Sequence, residues 1–216
     1  MGGLEVLLTG LRRVLCLGAH ADDIEIGCGG TVIRLLEENP GLEVHWVVLS
    51  APGERSQEAR NSADLFLAGT RRADVRVADF KESYFPYIGG EVKAYVDRLG
   101  SELEPDLILT HWRGDVHQDH RIVGELTWNS FRNHLILEYE IPKWDGDMGR
   151  PNVFIPLQRA ICSQKIDHLL GAFPSQIGKD WFGAEVFWGL LRLRGLEARS
   201  QSGYAEAFHC SKLVLG

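Results

Sequence analysis

Long apolar runs are missing from this 216-residue chain. No stretch approaches the roughly 20 consecutive apolar residues of a membrane span. The N-terminal "MGGLEVLLTGLRRVLCLG" lacks the charged, apolar and small-residue order of a signal peptide. The leading Met-Gly pair has Val6 where a myristoylation site carries Ser or Thr. Basic charge is also scarce: 23 Lys and Arg against 30 Asp and Glu give a net charge of -7. That sign disfavours a nucleic acid polymer or an anionic membrane surface as partner. The short pairs Arg12-Arg13 and Arg71-Arg72 read as solvated. Cys16, Cys28, Cys162 and Cys210 form neither a CxxC motif nor the density of a disulfide scaffold. The expectation is a reduced, cytoplasmic protein without a membrane span.

What is present is alternation. Val14-Leu17 reads as a buried strand, and Gly29 to Asn39 as a helix ended by "NPG". "LEVHWVVLS" (Leu42-Ser50) is a second strand, and Ser56 to Leu67 a helix with Ala59, Ala63, Phe66 and Leu67 as its apolar stripe. "DVRVADF" (Asp74-Phe80) is a third strand, followed by the helix "GEVKAYVDRLGSEL" and the strand "DLILTH" (Asp106-His111). A helix reaching about Arg132 and the strand "LILEYEI" (Leu135-Ile141) continue the pattern. Strands alternating with helices imply right-handed crossovers and a Rossmann-like α/β three-layer sandwich with a mainly parallel sheet. The length suits one domain over residues 1–216. After Ile141, "PKWDGDMGRPNVFIP" (142–156) reads as an irregular functional arm, and its exposed aromatics suit self-association. Helices near Ser163-Leu170 and Lys179-Leu196 follow, and "YAEAFHCSKLVL" is an extended piece for the sheet edge.

Two clusters carry chemistry. His20, Asp22 and Asp23 follow the first strand; His111, Asp115, His117, Asp119 and His120 follow the fourth. In open α/β sheets ligands bind outside the carboxyl ends of the strands. Neighbouring first and fourth strands would therefore bring both clusters to one crevice. Adjacent carboxylates repel unless a cation or proton relieves them, so a positive group is expected there. Catalytic zinc takes three ligands from His, Asp or Glu and leaves a fourth position for water. A carboxylate base and a histidine acid would complete a hydrolase, and the two clusters supply all five groups.

"AHADDIEIGCGG" resembles the HPDDxxxGxGG signature, and "HWRGDVHQDH" the HxxDxHxDH signature, of the PIG-L/LmbE-like zinc-dependent deacetylases. That family removes the N-acetyl group from glucosamine-type substrates, including glycolipid, thiol and antibiotic precursors. The resemblance implies His20, Asp23 and His120 as ligands to one Zn2+ per chain, Fe2+ being the alternative. It implies Asp22 as general base, His117 as oxyanion stabiliser and acid, and Asp119 as the group that orients His117. Arg55 matches a position that reaches substrate oxygens, and Asp79 one that holds sugar hydroxyls. Trp112, directly after His111, is the aromatic best placed to stack on a sugar ring. Ala21 stands where many members have proline, which removes no functional group. The implied activity is hydrolysis of an N-acetylated amino sugar or its conjugate, a nucleotide sugar or glycoconjugate, to acetate and free amine.

Competing readings are simpler. Asp22 and Asp23 could merely stabilise a helix start, which leaves His20 and the second cluster unexplained. Gly27, Gly29 and Gly30 lack the GxGxxG frame of a phosphate loop and fit close backbone packing better. Arg55 could be a surface charge, and His111, Asp115 and His209 stay unassigned. Other functional classes are a zinc amidase acting on a non-sugar amide or thiol conjugate, and a non-catalytic sugar-binding module. "DVHQDH" lacks the first histidine of HxHxDH, and no GNH follows the "GDVH" string, which disfavours the metallo-β-lactamase and metallophosphoesterase families.

Overall fold

The computed structural model describes residues 8–70 and 72–214. The readings of residues 1–7, of Arg71 and of Leu215 at the end of the last extended piece lie outside it. The elements in order are β1 (Arg13–Gly18), α1 (Asp23–Glu38), β2 (Glu43–Val48), α2 (Arg55–Phe66), β3 (Ala73–Val77), α3 (Gly89–Glu102), β4 (Leu107–His111), α4 (Gln118–Ser130), β5 (Leu135–Tyr139), β6 (Val153–Pro156), α5 (Arg159–Ala172), α6 (Ala184–Glu197) and β7 (Ala205–His209). One seven-stranded sheet runs β3-β2-β1-β4-β5-β7-β6. The first five strands are parallel, while β7 pairs antiparallel with both β5 and β6.

The alternation of side chains along β1 builds both faces. Val14 and Cys16 enter the core shared with α1, α2, α5 and α6, and Leu15 and Leu17 enter the core under α3 and α4. Side chains this fully buried each stabilise by about 1.5–3 kcal/mol relative to exposure. Because β1 and β4 are neighbours, with Val14 opposite Leu107 and Cys16 opposite Leu109, their carboxyl-end loops meet.

Three elements differ from the sequence reading. Helix α1 begins at Asp23, not Gly29, so its glycines lie inside the helix. They serve contact: a Cβ on Gly27 would lie 2.2 Å from the Tyr139 ring, and one on Gly30 would press on Leu157 and the Glu206 carboxylate. Glu206 accepts from the Gly30 and Thr31 N–H groups, while Lys165 donates to Ile26 O and pairs with Glu206 at 2.6 Å. The segment read as irregular over 142–156 ends in β6, where Pro156 sits on an edge strand that spares its missing N–H. The last extended piece consequently lies inside the sheet rather than on its edge. No helix among the described residues is long and apolar enough to cross a membrane.

One buried group carries a stability prediction. Glu25, in the first turn of α1, is fully buried with neither oxygen hydrogen-bonded, and its polar neighbour Ser62 also lacks a partner. Burial pushes its carboxyl well above the ordinary 4.5, and the Asp22 and Asp23 charges add to the rise. The folded state then holds a proton that the unfolded chain releases. The favourable contribution is present below pH 4.5 and is lost as pH rises toward the folded value. Glu25→Gln is expected to match the parent at pH 4 and to exceed it increasingly above, by about 1.4 kcal/mol per pH unit at most. Urea denaturation of both proteins between pH 4 and 8 measures the difference, and a gap that does not grow with pH would contradict this.

Candidate metal centre

The loop after β1 holds His20 and Asp22, with Asp23 opening α1, and His117 caps α4 by accepting from Asp119 N at 3.3 Å. His120 stands in the first turn of α4. Both clusters do converge. His20 Nδ1 lies 3.2 Å from His120 Nε2 and 3.4 Å from an Asp23 oxygen, and His120 Nε2 lies 3.4 Å from the other Asp23 oxygen. A tetrahedral cation with bonds of about 2.0–2.1 Å separates its ligands by about 3.3–3.4 Å. His20 and His120 thus each face a different oxygen of the Asp23 carboxylate at separations of the order that neighbouring ligands of one cation show.

Two overlapping sets, His20/His117/His120 and Asp23/His111/His120, also bring donor atoms within 4.8 Å of one another. His120 is common to both. Each combination has an atom already engaged: His111 Nε2 accepts from Ala19 N at 2.9 Å, His117 Nδ1 accepts from Asp119 N, and Asp23 Oδ2 accepts from His20 N at 2.6 Å. His111 also stacks on the His120 ring at 4.1 Å, which supports that ring from beneath.

Electrostatics divides the carboxylates. Burial alone would raise Asp23, but His120, His111 and His20 together hold it well below its ordinary value. Burial raises Asp22, opposed by Arg55 and reinforced by Asp23. Arg55 Nη2 binds Asp22 Oδ1 at 2.8 Å, leaving buried Oδ2 without a partner. His20 is pushed up to about 10: burial disfavours its charge, but Asp23 and Asp119 outweigh it. His120 falls to about 4, chiefly through burial, and His117 is lowered by burial and by His20.

Asp119 meets the His117 side chain through its backbone N–H, at 3.3 Å from Nδ1, while its carboxylate accepts from His20 Nε2 at 3.1 Å, Ser83 N at 2.6 Å and Phe85 N at 3.1 Å. Ser83 takes a left-handed φ of 65° to aim that N–H, a conformation costly for a non-glycine residue. Arg55 is bound to Asp22 at 2.8 Å, with Glu82 at 3.6 Å. Trp112 is packed: its ring stacks on His209 at 4.3 Å, with Gly114 and Gly149 against its edge. His209 thus covers one face of the indole. Asp79 is exposed, joined to Ser50 by a backbone bridge, and no ion pair ties its side chain to the cluster among the described residues.

The sequence left Asp115 unassigned, yet it holds the cluster. Its Oδ2 binds His120 Nδ1 at 2.9 Å and its Oδ1 accepts from His117 N at 2.7 Å. A carboxylate behind a ligating histidine fixes tautomer and ring orientation. Lys143, from the arm, lies 2.9 Å from Asp115 Oδ2; its place in a loop without periodicity gave no signal.

The chain is similar to known deacetylases. The chain is 29% identical over 156 residues to an uncharacterized deacetylase, YaiS, of Escherichia coli, covering 66% of this chain and 80% of that one. It is 29% identical over 136 residues to the diacetylchitobiose deacetylase of Thermococcus kodakarensis, covering 54% and 48%. The structure of N,N'-diacetylchitobiose deacetylase from Pyrococcus horikoshii superposes with a TM-score of 0.71 at 20% identity, over 93% of this chain and 84% of that one. The PIG-L family, described as GlcNAc-PI de-N-acetylase, matches residues 15–131, which span both clusters and the strands that bring them together. The chain belongs to the PIG-L family.

Proposed function

We propose that this protein is a zinc-dependent N-deacetylase that hydrolyses the acetamido group of an amino sugar or its conjugate, acting as a cytoplasmic enzyme on a small-molecule substrate. The observation that carries the proposal is the convergence of His20, Asp23 and His120, with ligand-type atoms 3.2–3.4 Å apart, next in the chain to Asp22 and its unpartnered Oδ2. Two histidines and a carboxylate suit zinc, and Fe2+ is the alternative. When bound, the cation would polarise the amide carbonyl and acidify nearby water.

The remaining work falls to the chain. Arg55 holds one Asp22 oxygen, so the other is aimed as a base, and its raised pKa suits it both to take a proton and to return it to the departing nitrogen. His117 has Nδ1 occupied as an acceptor, which leaves Nε2–H as its donor tautomer. Its lowered pKa favours that neutral ring. His117 then supplies a hydrogen bond to the developing oxyanion, and the proton delivery first assigned to it passes to Asp22. Asp119 and Asp115 orient His20 and His120.

Metal loading itself has a proton signature. With its pKa raised to about 10, His20 is expected to carry a proton in the metal-free protein at pH 6 and must be neutral to ligate. Zinc binding at pH 6, where metal-bound water with a pKa of about 7 keeps its proton, is expected to release close to one proton, measurable by calorimetry in buffers of different ionisation enthalpy. A buffer-independent heat would contradict the His20 assignment.

The substrate class is tested by acetate release from the zinc-loaded protein across free, glycosidic and nucleotide-linked N-acetylhexosamines, beside non-sugar acetamides. Release confined to the sugars supports the proposal. Release from non-sugar amides alone replaces it with a general amidase, and no release despite bound zinc rejects the deacetylase reading for that panel.

A further inference from the structure

The arm between β5 and β6 reaches the metal cluster through one side chain. Lys143 Nζ lies 2.9 Å from Asp115 Oδ2 and 2.8 and 2.7 Å from the two oxygens of Asp147, four residues along the same arm. Asp147 in turn accepts from Val116 N at 2.8 Å, immediately before His117. All three charged side chains are at most 10% exposed. Among the described residues Lys143 is the only lysine or arginine paired with either carboxylate.

We propose that Lys143 is a positioning residue: its ammonium clamps the 142–149 arm to Asp115 and thereby fixes both the His120 ring and the arm over the site. This rests on the reading of His120 as a metal ligand. The chain of contacts is short: Lys143 to Asp115, Asp115 Oδ2 to His120 Nδ1, and Asp115 Oδ1 to His117 N. Without the ammonium, two buried carboxylates share a site with no cation between them, and such a pair repels. Their separation loosens Asp115 from His120 and releases the segment that begins at Pro142.

The direction of the effect identifies the clamp. Removing a positive charge near a metal site would by attraction alone tighten cation binding. A clamp predicts the opposite, because loss of an outer partner of a ligating histidine weakens binding by about 10–100-fold. Trp144, next to Lys143 and 73% exposed, offers a second readout independent of catalysis.

The test compares the full-length parent with Lys143→Met and Lys143→Arg. Zinc affinity is measured by competition with a chromophoric chelator, and arm mobility by the rate of chymotryptic cleavage after Trp144. For Lys143→Met, zinc affinity is expected to fall about tenfold and cleavage to quicken at least tenfold, with Lys143→Arg recovering most of both. Unchanged or tighter zinc binding overturns the coupling to His120, and unchanged cleavage overturns the arm clamp. If Lys143→Met does not fold, Lys143→Gln takes its place, with the same fall in zinc affinity and faster cleavage expected and the same unchanged values overturning the proposal. Neither readout requires turnover, so a wrong substrate class leaves the test intact.

Discussion

Asp22→Asn is expected to lower kcat by about 10²–10⁴-fold, the usual contribution of a positioned general base, while zinc affinity stays within a few-fold of the parent. The substitution keeps shape and an oxygen for the Arg55 contact, now 2.8 Å from Asp22 Oδ1. It removes the lone pair and proton affinity of Oδ2, the oxygen that has no partner in the folded chain. Asp22 makes no contact with His120, and the ligand set is built from Asp23. The two neighbouring aspartates therefore separate cleanly: one variant loses turnover, the other loses metal. Acetate release and chelator competition on the same preparation measure both. Full activity in Asp22→Asn, or activity lost only because zinc is lost, would contradict the assignment of the base.

His120→Ala should remove both metal and turnover, and it should do so more severely than Asp115→Asn. His120 is the residue common to all three ligand combinations at this site, so no rearrangement among the others replaces it. Asp115→Asn keeps a hydrogen-bond acceptor but withdraws the charge behind His120 Nδ1, 2.9 Å away. The cost expected for such an outer partner is about 10–100-fold in metal affinity. A graded series, with the parent tightest, Asp115→Asn intermediate and His120→Ala without measurable zinc, is the predicted outcome. Equal affinities in Asp115→Asn and His120→Ala would show that Asp115 is itself a ligand.

The parallel half of the sheet was legible because periodicity and position coincide. Val14 to Leu17 is uninterrupted and apolar, as a strand buried on both faces must be. Chain order then placed β1 beside β4 and the two His/Asp clusters together. The antiparallel end was less legible. β6 is four residues long at the end of a Gly- and Pro-rich stretch, and β7 enters between β5 and β6 by pairing that no local pattern encodes.

At the site, residue types were readable and connections were not. The resemblance coupled Asp119 to His117, and its backbone N–H does reach His117 Nδ1; the helical turn sends its carboxylate across to His20, 99 residues away. Arg55 and Asp22 meet over 33 residues, and Lys143 reaches Asp115 from a loop. Trp112 looked free because its neighbour His111 faces the site, but β7 delivers His209 onto its ring. Each shift comes from a partner remote in sequence.

The most direct test of the ligand assignment is the position of zinc itself, by anomalous scattering from crystals of the zinc-loaded protein. The predicted result is one zinc per chain bound by His20, Asp23 and His120, with the Asp22 carboxylate beside it and not in its coordination shell. Zinc seated instead on Asp23, His111 and His120, or on His20, His117 and His120 without Asp23, would contradict the proposed centre and with it the roles drawn for Asp22 and His117.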